Sequence, residues 1–210
     1  MRTFALEPRL SPSQERARET VERILEAAAA LLDEVGVEGF NTNRLAESAG
    51  VRVRTVYRYF PNKLSVITVL AARMTEEWNR WFENAEQLAD PDCDWREVWC
   101  QYIDGFLAGI RALPGAAAIR HAMHAIPELR DIDQKDNAQL AKRLAKILRV
   151  RNPQQTRGES EAAARALLES AVAIIDVALL ESGQRAEPLI EALKQMHLAY
   201  LSHYFEGAPQ

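Results

Sequence analysis

Residues 41–63, NTNRLAESAGVRVRTVYRYFPNK, decide the fold. Asn41 or Thr42 can cap a first short helix whose Leu45, Ala46 and Ala49 share one face. Gly50 follows where a tight turn between two helices wants a residue that tolerates positive φ. Val51 then reads as a buried plug, and a second helix runs from about Val53 to Tyr59 with Val56 and Phe60 pointing inward. The remaining positions, Arg54, Thr55, Tyr57, Arg58 and Tyr59, point outward, with Arg52 at the helix start and Lys63 just past its end. Pro61-Asn62 ends this helix and restarts another, because the residue before proline is pushed out of the α region and asparagine is a good N-cap. The pattern is a helix-turn-helix. Positions 42–63 hold five cations (Arg44, Arg52, Arg54, Arg58, Lys63) against one acid (Glu47), so the segment is +4 in a chain of net charge -4. Exposed tyrosines among arginines suit phosphates and base edges, the plain alternative being a solvated basic helix face.

The run Leu45-Ala46, Ala49-Gly50-Val51 and Thr55-Val56-Tyr57-Arg58-Tyr59-Phe60-Pro61-Asn62-Lys63 resembles the DNA-binding signature of the tetracycline-repressor (TetR) family of transcriptional regulators. The resemblance covers roughly residues 14 to 70. It implies an all-α, dimeric repressor released from its operator by a small ligand. It also implies that Thr55, Tyr57 and Tyr59 contact phosphate or base in the major groove, with Thr42 and Asn43 from the preceding helix and Lys63 from the following one. Arg54 and Arg58 are the guanine readers, since a guanidinium can bond both O6 and N7. One position departs from the family pattern. A small capping residue such as serine usually opens the second helix, and here that position holds Arg52, which is expected to lie against phosphate. Val53 is apolar and suits contact with a thymine methyl.

Around this stretch, 210 residues with 48% hydrophobic and 27% charged content, 9 glycines and 9 prolines describe a globular chain with length enough for a core. Alanine, leucine, glutamate and arginine favour helix, and strand signals are missing. No apolar run reaches about 18 residues, and the N-terminus MRTFALEPRL lacks a signal-peptide core, so a soluble cytoplasmic protein is expected. Cys93 and Cys100 are the only cysteines and read as reduced thiols. Residues 1–65 hold ten basic and nine acidic residues, net +1, whereas 66–210 hold sixteen and twenty-one, net -5. That asymmetry fits a DNA-binding head on an acidic body.

The expected architecture is about nine helices in two domains: a three-helix head over 11–62 and a ligand-binding and dimerisation body over 63–208. Residues 1–10 read as an arm carrying Arg2 and Arg9. Ser11-Pro12-Ser13-Gln14 reads as a capping box opening the first helix, which Gly36 closes. A long helix from Lys63 to about Leu88 carries Trp78, Trp81 and Phe82 inward. The fifth, about 94 to 113 after the acidic cap Asp94 with Glu97, is apolar over more than half its girth, and its Gly105 and Gly109 mark where another helix or a ligand approaches its backbone. Pro114-Gly115 and Pro127 bracket a sixth helix, a seventh runs to about Val150, and 151–158 form a loop. Two final helices, about Glu159 to Ser182 and Pro188 to Phe205, are separated by Gly183-Gln184-Arg185.

Two half-sites about one turn apart need two heads about 34–36 Å apart, which a two-fold dimer built on the last two helices supplies. Ala171, Ile175, Leu179, Leu193, Met196 and Tyr200 are the expected interface. For a small-molecule effector the candidates are Trp99, Tyr102 and Phe106 with His121 and His124 facing them, and Asp176 inside the apolar run AVAIIDVALL. Satisfied or exposed histidines and an interface acid are the bland readings of the last three. No HxxxH or HExxH spacing implies a metal or cofactor, and no GxSxG, P-loop, Rossmann glycine pattern or paired carboxylates support an enzyme or carrier, which would leave the basic head unexplained. A regulator without an inducer, activating or controlled by a partner, remains the other alternative.

Overall fold

Nine α-helices and one 3-10 turn make up the secondary structure of the described residues, with no strand among them. The computed structural model describes residues 15–181 and 183–206, so the N-terminal arm and the Ser11–Gln14 capping box lie outside the described residues. The helices are α1 (Glu15–Gly39), α2 (Thr42–Ser48), α3 (Val53–Tyr59), α4 (Lys63–Ala85), α5 (Trp95–Ala112), α6 (Ala116–Ala125), α7 (Pro127–Arg151), α8 (Arg157–Leu180) and α9 (Gly183–Phe205), with the 3-10 turn at Glu86–Ala89. They fall into two compact units, one made of Met1–Thr75 and Ala112–Ile132, the other of Glu76–Arg111 and Asp133–Gln210. The boundary therefore falls inside α4 and not at its start, and the head takes in α6.

In the head, α1 buries Ile24, Leu25, Ala28, Leu31 and Leu32 along one stripe. Phe40, Leu45, Val56, Phe60 and Ile67 are buried in the same unit. Each large apolar side chain removed from water stabilises by about 1.5–3 kcal/mol. Gly36 breaks α1 as expected, at φ 64°. Gly115 has φ 72°, and a Cβ there would lie 2.5 Å from the Ala29 carbonyl oxygen, so α6 meets α1 backbone to backbone at this point. The Gly115 amide donates to Asp33 Oδ1 at 3.3 Å, which ties the start of α6 to α1.

The body is held by rings. Trp78 lies 5.2 Å from Phe106, and Tyr102 meets Phe82 edge-on at 5.6 Å and Trp99 at 5.6 Å. Such pairs are worth about 0.5–1.5 kcal/mol beyond their burial. Gly105 and Gly109 are indeed a place of close approach, and the group that approaches is the indole of Trp81, 2.7 Å from a Cβ at Gly105 and 3.0 Å from one at Gly109. Trp81 is nonetheless 36% exposed and not interior. One of its faces covers the glycine notch and the other meets water.

Three boundaries differ from the sequence expectation. Helix α8 starts at Arg157, because Thr156 and Glu159 form a reciprocal capping box inside the stretch read as loop. Helix α9 starts at Gly183 and carries Pro188 within its second turn. A proline there forfeits one helical donor, a cost confined to the second turn. After Ala85 the long fourth helix tightens into the 3-10 turn, a common way for a helix end to use its last carbonyls.

Candidate nucleic-acid interface

The two helices of the helix-turn-helix are set by local chemistry. Asn41 is the N-cap of α2, its side-chain oxygen accepting from the amides of Asn43 at 3.1 Å and Arg44 at 3.0 Å. Because Asn41 does the capping, Thr42 is released, and its hydroxyl pairs with the Tyr57 hydroxyl at 3.0 Å, joining α2 to α3. Gly50 turns the chain at φ 63°. The Val51 amide closes the turn onto the Ala46 carbonyl at 2.9 Å. Arg52 sits at the N-cap of α3 with extended backbone and makes no capping bond, so the departure from a small capping residue leaves an exposed guanidinium at that end. At the other end Asn62 Oδ1 accepts from the Ser65 amide at 2.9 Å and starts α4.

This frame fixes what faces outward. Arg44, Arg52, Arg54, Tyr57, Arg58 and Lys63 are exposed, as is Asn43, while Thr42, Val53 and Thr55 are half-buried. No ion pair involves any of these five cations among the described residues. Unpaired cations around an exposed tyrosine present donors with no competing carboxylate, the arrangement that phosphate contacts need.

Tyr59 does not belong to this face. It is 5% exposed, part of the head core with Val56 and Phe60. Positions 56, 59 and 60 repeat at i, i+3, i+4, the spacing of a single helical face, so the geometry that turns Val56 inward turns Tyr59 inward as well. Val51 is half-buried and plugs the turn only in part.

In the body, Trp78, Tyr102, Phe106, Asn137, Ala171 and Ile175 are among the residues lining an apolar cavity of about 20 Å³. That is room for about one water molecule. Trp99 lies elsewhere in the same unit. Its indole donates to His197 Nδ1 at 3.3 Å, and His197 Nε2 meets Ser170 Oγ at 2.9 Å. Since Nδ1 accepts, the proton belongs on Nε2. His197 then donates to Ser170, whose hydroxyl donates to the Ala166 carbonyl at 2.6 Å. Every polar atom of that chain is satisfied, and burial pushes the His197 pKa down to about 4.

Residues 24–68 match the family described as bacterial regulatory proteins, tetR family, and residues 93–205, more than half of the chain, match the tetracyclin repressor-like C-terminal domain. The chain belongs to the TetR family of transcriptional regulators. It is 37% identical over 73 residues to the class A tetracycline repressor protein of Escherichia coli from transposon 1721, a stretch covering 35% of this chain and 32% of that protein. To the HTH-type transcriptional repressor KstR of Rhodococcus jostii it is 41% identical over 59 residues, 28% of each. The shared sequence thus spans about a third of the length of these curated relatives. Over the whole fold it is similar to a TetR-family transcriptional regulator from Streptomyces coelicolor, with TM-score 0.60, 26% identity and coverage of 88% of this chain and 99% of that one. A putative TetR-family regulator from Mesorhizobium loti superposes at TM-score 0.69 with 18% identity, covering 91% and 99%, a likeness of fold alone.

Within this TetR fold the effector candidates separate. Tyr102 and Phe106 line the cavity. Trp99 is engaged by His197, Asp176 is half-buried on α8, and His121 and His124 are exposed on α6, which belongs to the head unit. None of these four is among the cavity-lining residues. The interface candidates divide in the same way. Ile175 at 1% exposure and Leu193 at 0% are core residues of their own chain, since two packed helices must bury a shared seam before either offers a face. Ala171 and Leu179 are half-buried, while Met196 and Tyr200 are exposed. Sequence reading missed Val177 and Leu180, the most exposed large apolar residues of α8. Their signal was present, an apolar run AVAIIDVALL continuing all round the helix where one face already suffices for a core.

Proposed function

We propose that this chain is a repressor that docks two copies of α3 in successive major grooves of an inverted-repeat operator, as a homodimer, and leaves when a small molecule binds the body. The observation that carries the reading is the exposed set Arg52, Arg54, Tyr57, Arg58 and Lys63, a tyrosine among cations without ion pairs in the described residues, on and beside a helix that lies between the Gly50 turn and the Asn62-capped start of α4. The curated relatives bear the names of repressors. Val177 at 49%, Leu180 at 82%, Met196 at 48% and Tyr200 at 40% exposure give α8 and α9 an apolar face that a second copy would cover. Helix α4 is shared by both units and is the covalent route by which a ligand in the body would bias the head. Such a ligand releases DNA only if it binds the DNA-free state more tightly.

The test is selection of the purified protein against a randomised duplex pool, followed by anisotropy with the winning sequence across a salt series. An enriched inverted repeat, bound as a dimer with a steep negative salt slope, supports the proposal. Absence of enrichment with weak binding to every duplex overturns it. A second reading, regulation by a partner without an inducer, is favoured by the size of the apolar cavity lined by Trp78 and Phe106, far below the roughly 300–1,000 Å³ that holds a drug-sized ligand. An inducer entering this cavity would have to open the ring cluster and would be apolar, because Asn137 is the only amide among its lining residues.

A further inference from the structure

The body is acidic as a whole, yet one part of it is strongly basic. Residues 142–165 hold seven cations (Lys142, Arg143, Lys146, Arg149, Arg151, Arg157, Arg165) and two acids (Glu159, Glu161), a net of +5 inside the 66–210 stretch, whose net is -5. Four of these cations engage partners of their own. Arg143 binds Glu86 at 2.7 Å, Arg151 bonds the carbonyls of Leu88 and Asp90, Arg165 faces Glu169 at 3.5 Å, and Arg157 pairs with Glu161 at 2.7 Å. The other three do not. Lys142, Lys146 and Arg149 form no ion pair among the described residues, in a unit where carboxylates outnumber cations.

These three line one depression together with Arg157, Glu161 and Ala145, about 250 Å³ in volume. Lys142, Lys146 and Arg149 stand at i, i+4 and i+7 on α7, so they share a face and span about 10 Å along the axis. Like charges at i and i+4 repel, which a sequence free to place a glutamate between them would avoid. Across the depression Arg157, the first residue of α8, adds a fourth cation, while the helix start itself is closed by the capping box of Thr156 and Glu159. The only carboxylate in the lining, Glu161, is already held by Arg157. That pair is largely exposed and exchanges readily for a better acceptor. Three cations without ion pairs and a fourth in a labile pair converge on a space of small-molecule size, and their shared requirement is concentrated negative charge.

We propose that this depression is a binding site for a small polyanion, a molecule carrying two or more linked phosphates, held by Lys142, Lys146, Arg149 and Arg157. It is separate from the helix-turn-helix and from the apolar cavity, and it stands whether or not an apolar inducer exists. The probe is inorganic tripolyphosphate, titrated by calorimetry into the full chain at fixed ionic strength, with sodium sulfate as the comparator. The expected result is saturable binding at one site per chain, with sulfate much weaker. Lys146→Glu/Arg149→Glu is expected to weaken it by about tenfold or more, with Lys142→Ala/Lys146→Ala as the gentler variant should the first misfold. Arg54→Ala/Arg58→Ala in the head and Arg165→Glu outside the depression are expected to leave it unchanged. Binding lost in the head variant and kept in the α7 variants would place the polyanion on the helix-turn-helix and overturn the proposal, as would the absence of saturable binding. A loss of duplex-DNA affinity in the α7 variants without a matching loss of tripolyphosphate binding would assign the surface to nucleic-acid backbone and also overturn it.

Discussion

Helix α3 and the α8–α9 pair of this TetR-family regulator turn their side chains in opposite senses. Helix α3 exposes arginines and Tyr57 and buries Tyr59. The α8–α9 pair exposes Val177, Leu180 and Met196 and buries His197. On α3, polar groups face water, as they do on most surface helices, and only their lack of counter-ions signals a partner. On α8 and α9 the inversion itself is the signal, since large apolar side chains left exposed on helices that already bury another face suit a covering partner. On the proposed reading the two surfaces take different partners, an anion and an apolar face.

The contrast between Tyr57 and Tyr59 is the first place to break it. Tyr59→Ala is expected to destabilise the head by about 4 kcal/mol, as deletion of a buried ring does. Tyr57→Ala is expected to change stability by less than about 0.5 kcal/mol, because the ring is 41% exposed and lies outside the head core. Urea unfolding of both variants checks the pair, and equal losses would remove the inside–outside assignment of α3.

That distinction also shows how far the sequence could be read. The cap at Asn41, the turn at Gly50 and the restart at Asn62 were legible because each depends on neighbours within four residues. Tyr59 was misplaced by the family signature, although its phase relative to Val56 is in the sequence. The approach at Gly105 and Gly109 was legible as an absence of side chain, but its occupant, Trp81, lies 24 positions earlier and nothing local names it. His197 was out of reach altogether. Its partner Trp99 is 98 residues away, and a lone histidine on a helix carries no mark of the indole that will bond to it. The capping box of Thr156 and Glu159 was legible, and the turn residues around it masked it.

Glycines sharpen the comparison next. Gly115→Ala is expected to destabilise by about 3 kcal/mol, since a positive φ and the Ala29 carbonyl at 2.5 Å both oppose a methyl group. Gly50→Ala, at φ 63° in open space, is expected to lose only about 1 kcal/mol of strain. Thermal or urea unfolding separates them, and equal losses would show that the α1–α6 contact does not constrain the head.

A smaller effect belongs to the body. The His197 pKa is lowered from 6.5 to about 4 by burial, so the unfolded chain takes up a proton at a pH where the folded chain does not. This contribution is fully present above pH 6.5 and is lost as pH falls toward 4. Between pH 7 and 5 it amounts to about 2 kcal/mol. His197→Gln is expected to flatten that part of the stability–pH curve, measured by urea unfolding at both pH values. An unchanged slope would show that His197 titrates alike in the folded and unfolded chains.

The most direct measurement of the central claim is operator anisotropy with wild type and Tyr57→Ala, on the duplex recovered by selection, alongside circular dichroism of both. The expected result is binding weakened by about 1–3 kcal/mol with a native helical spectrum, the loss of one contact from an intact head. Full affinity in a natively folded Tyr57→Ala protein would contradict the assignment of the exposed face of α3 to DNA.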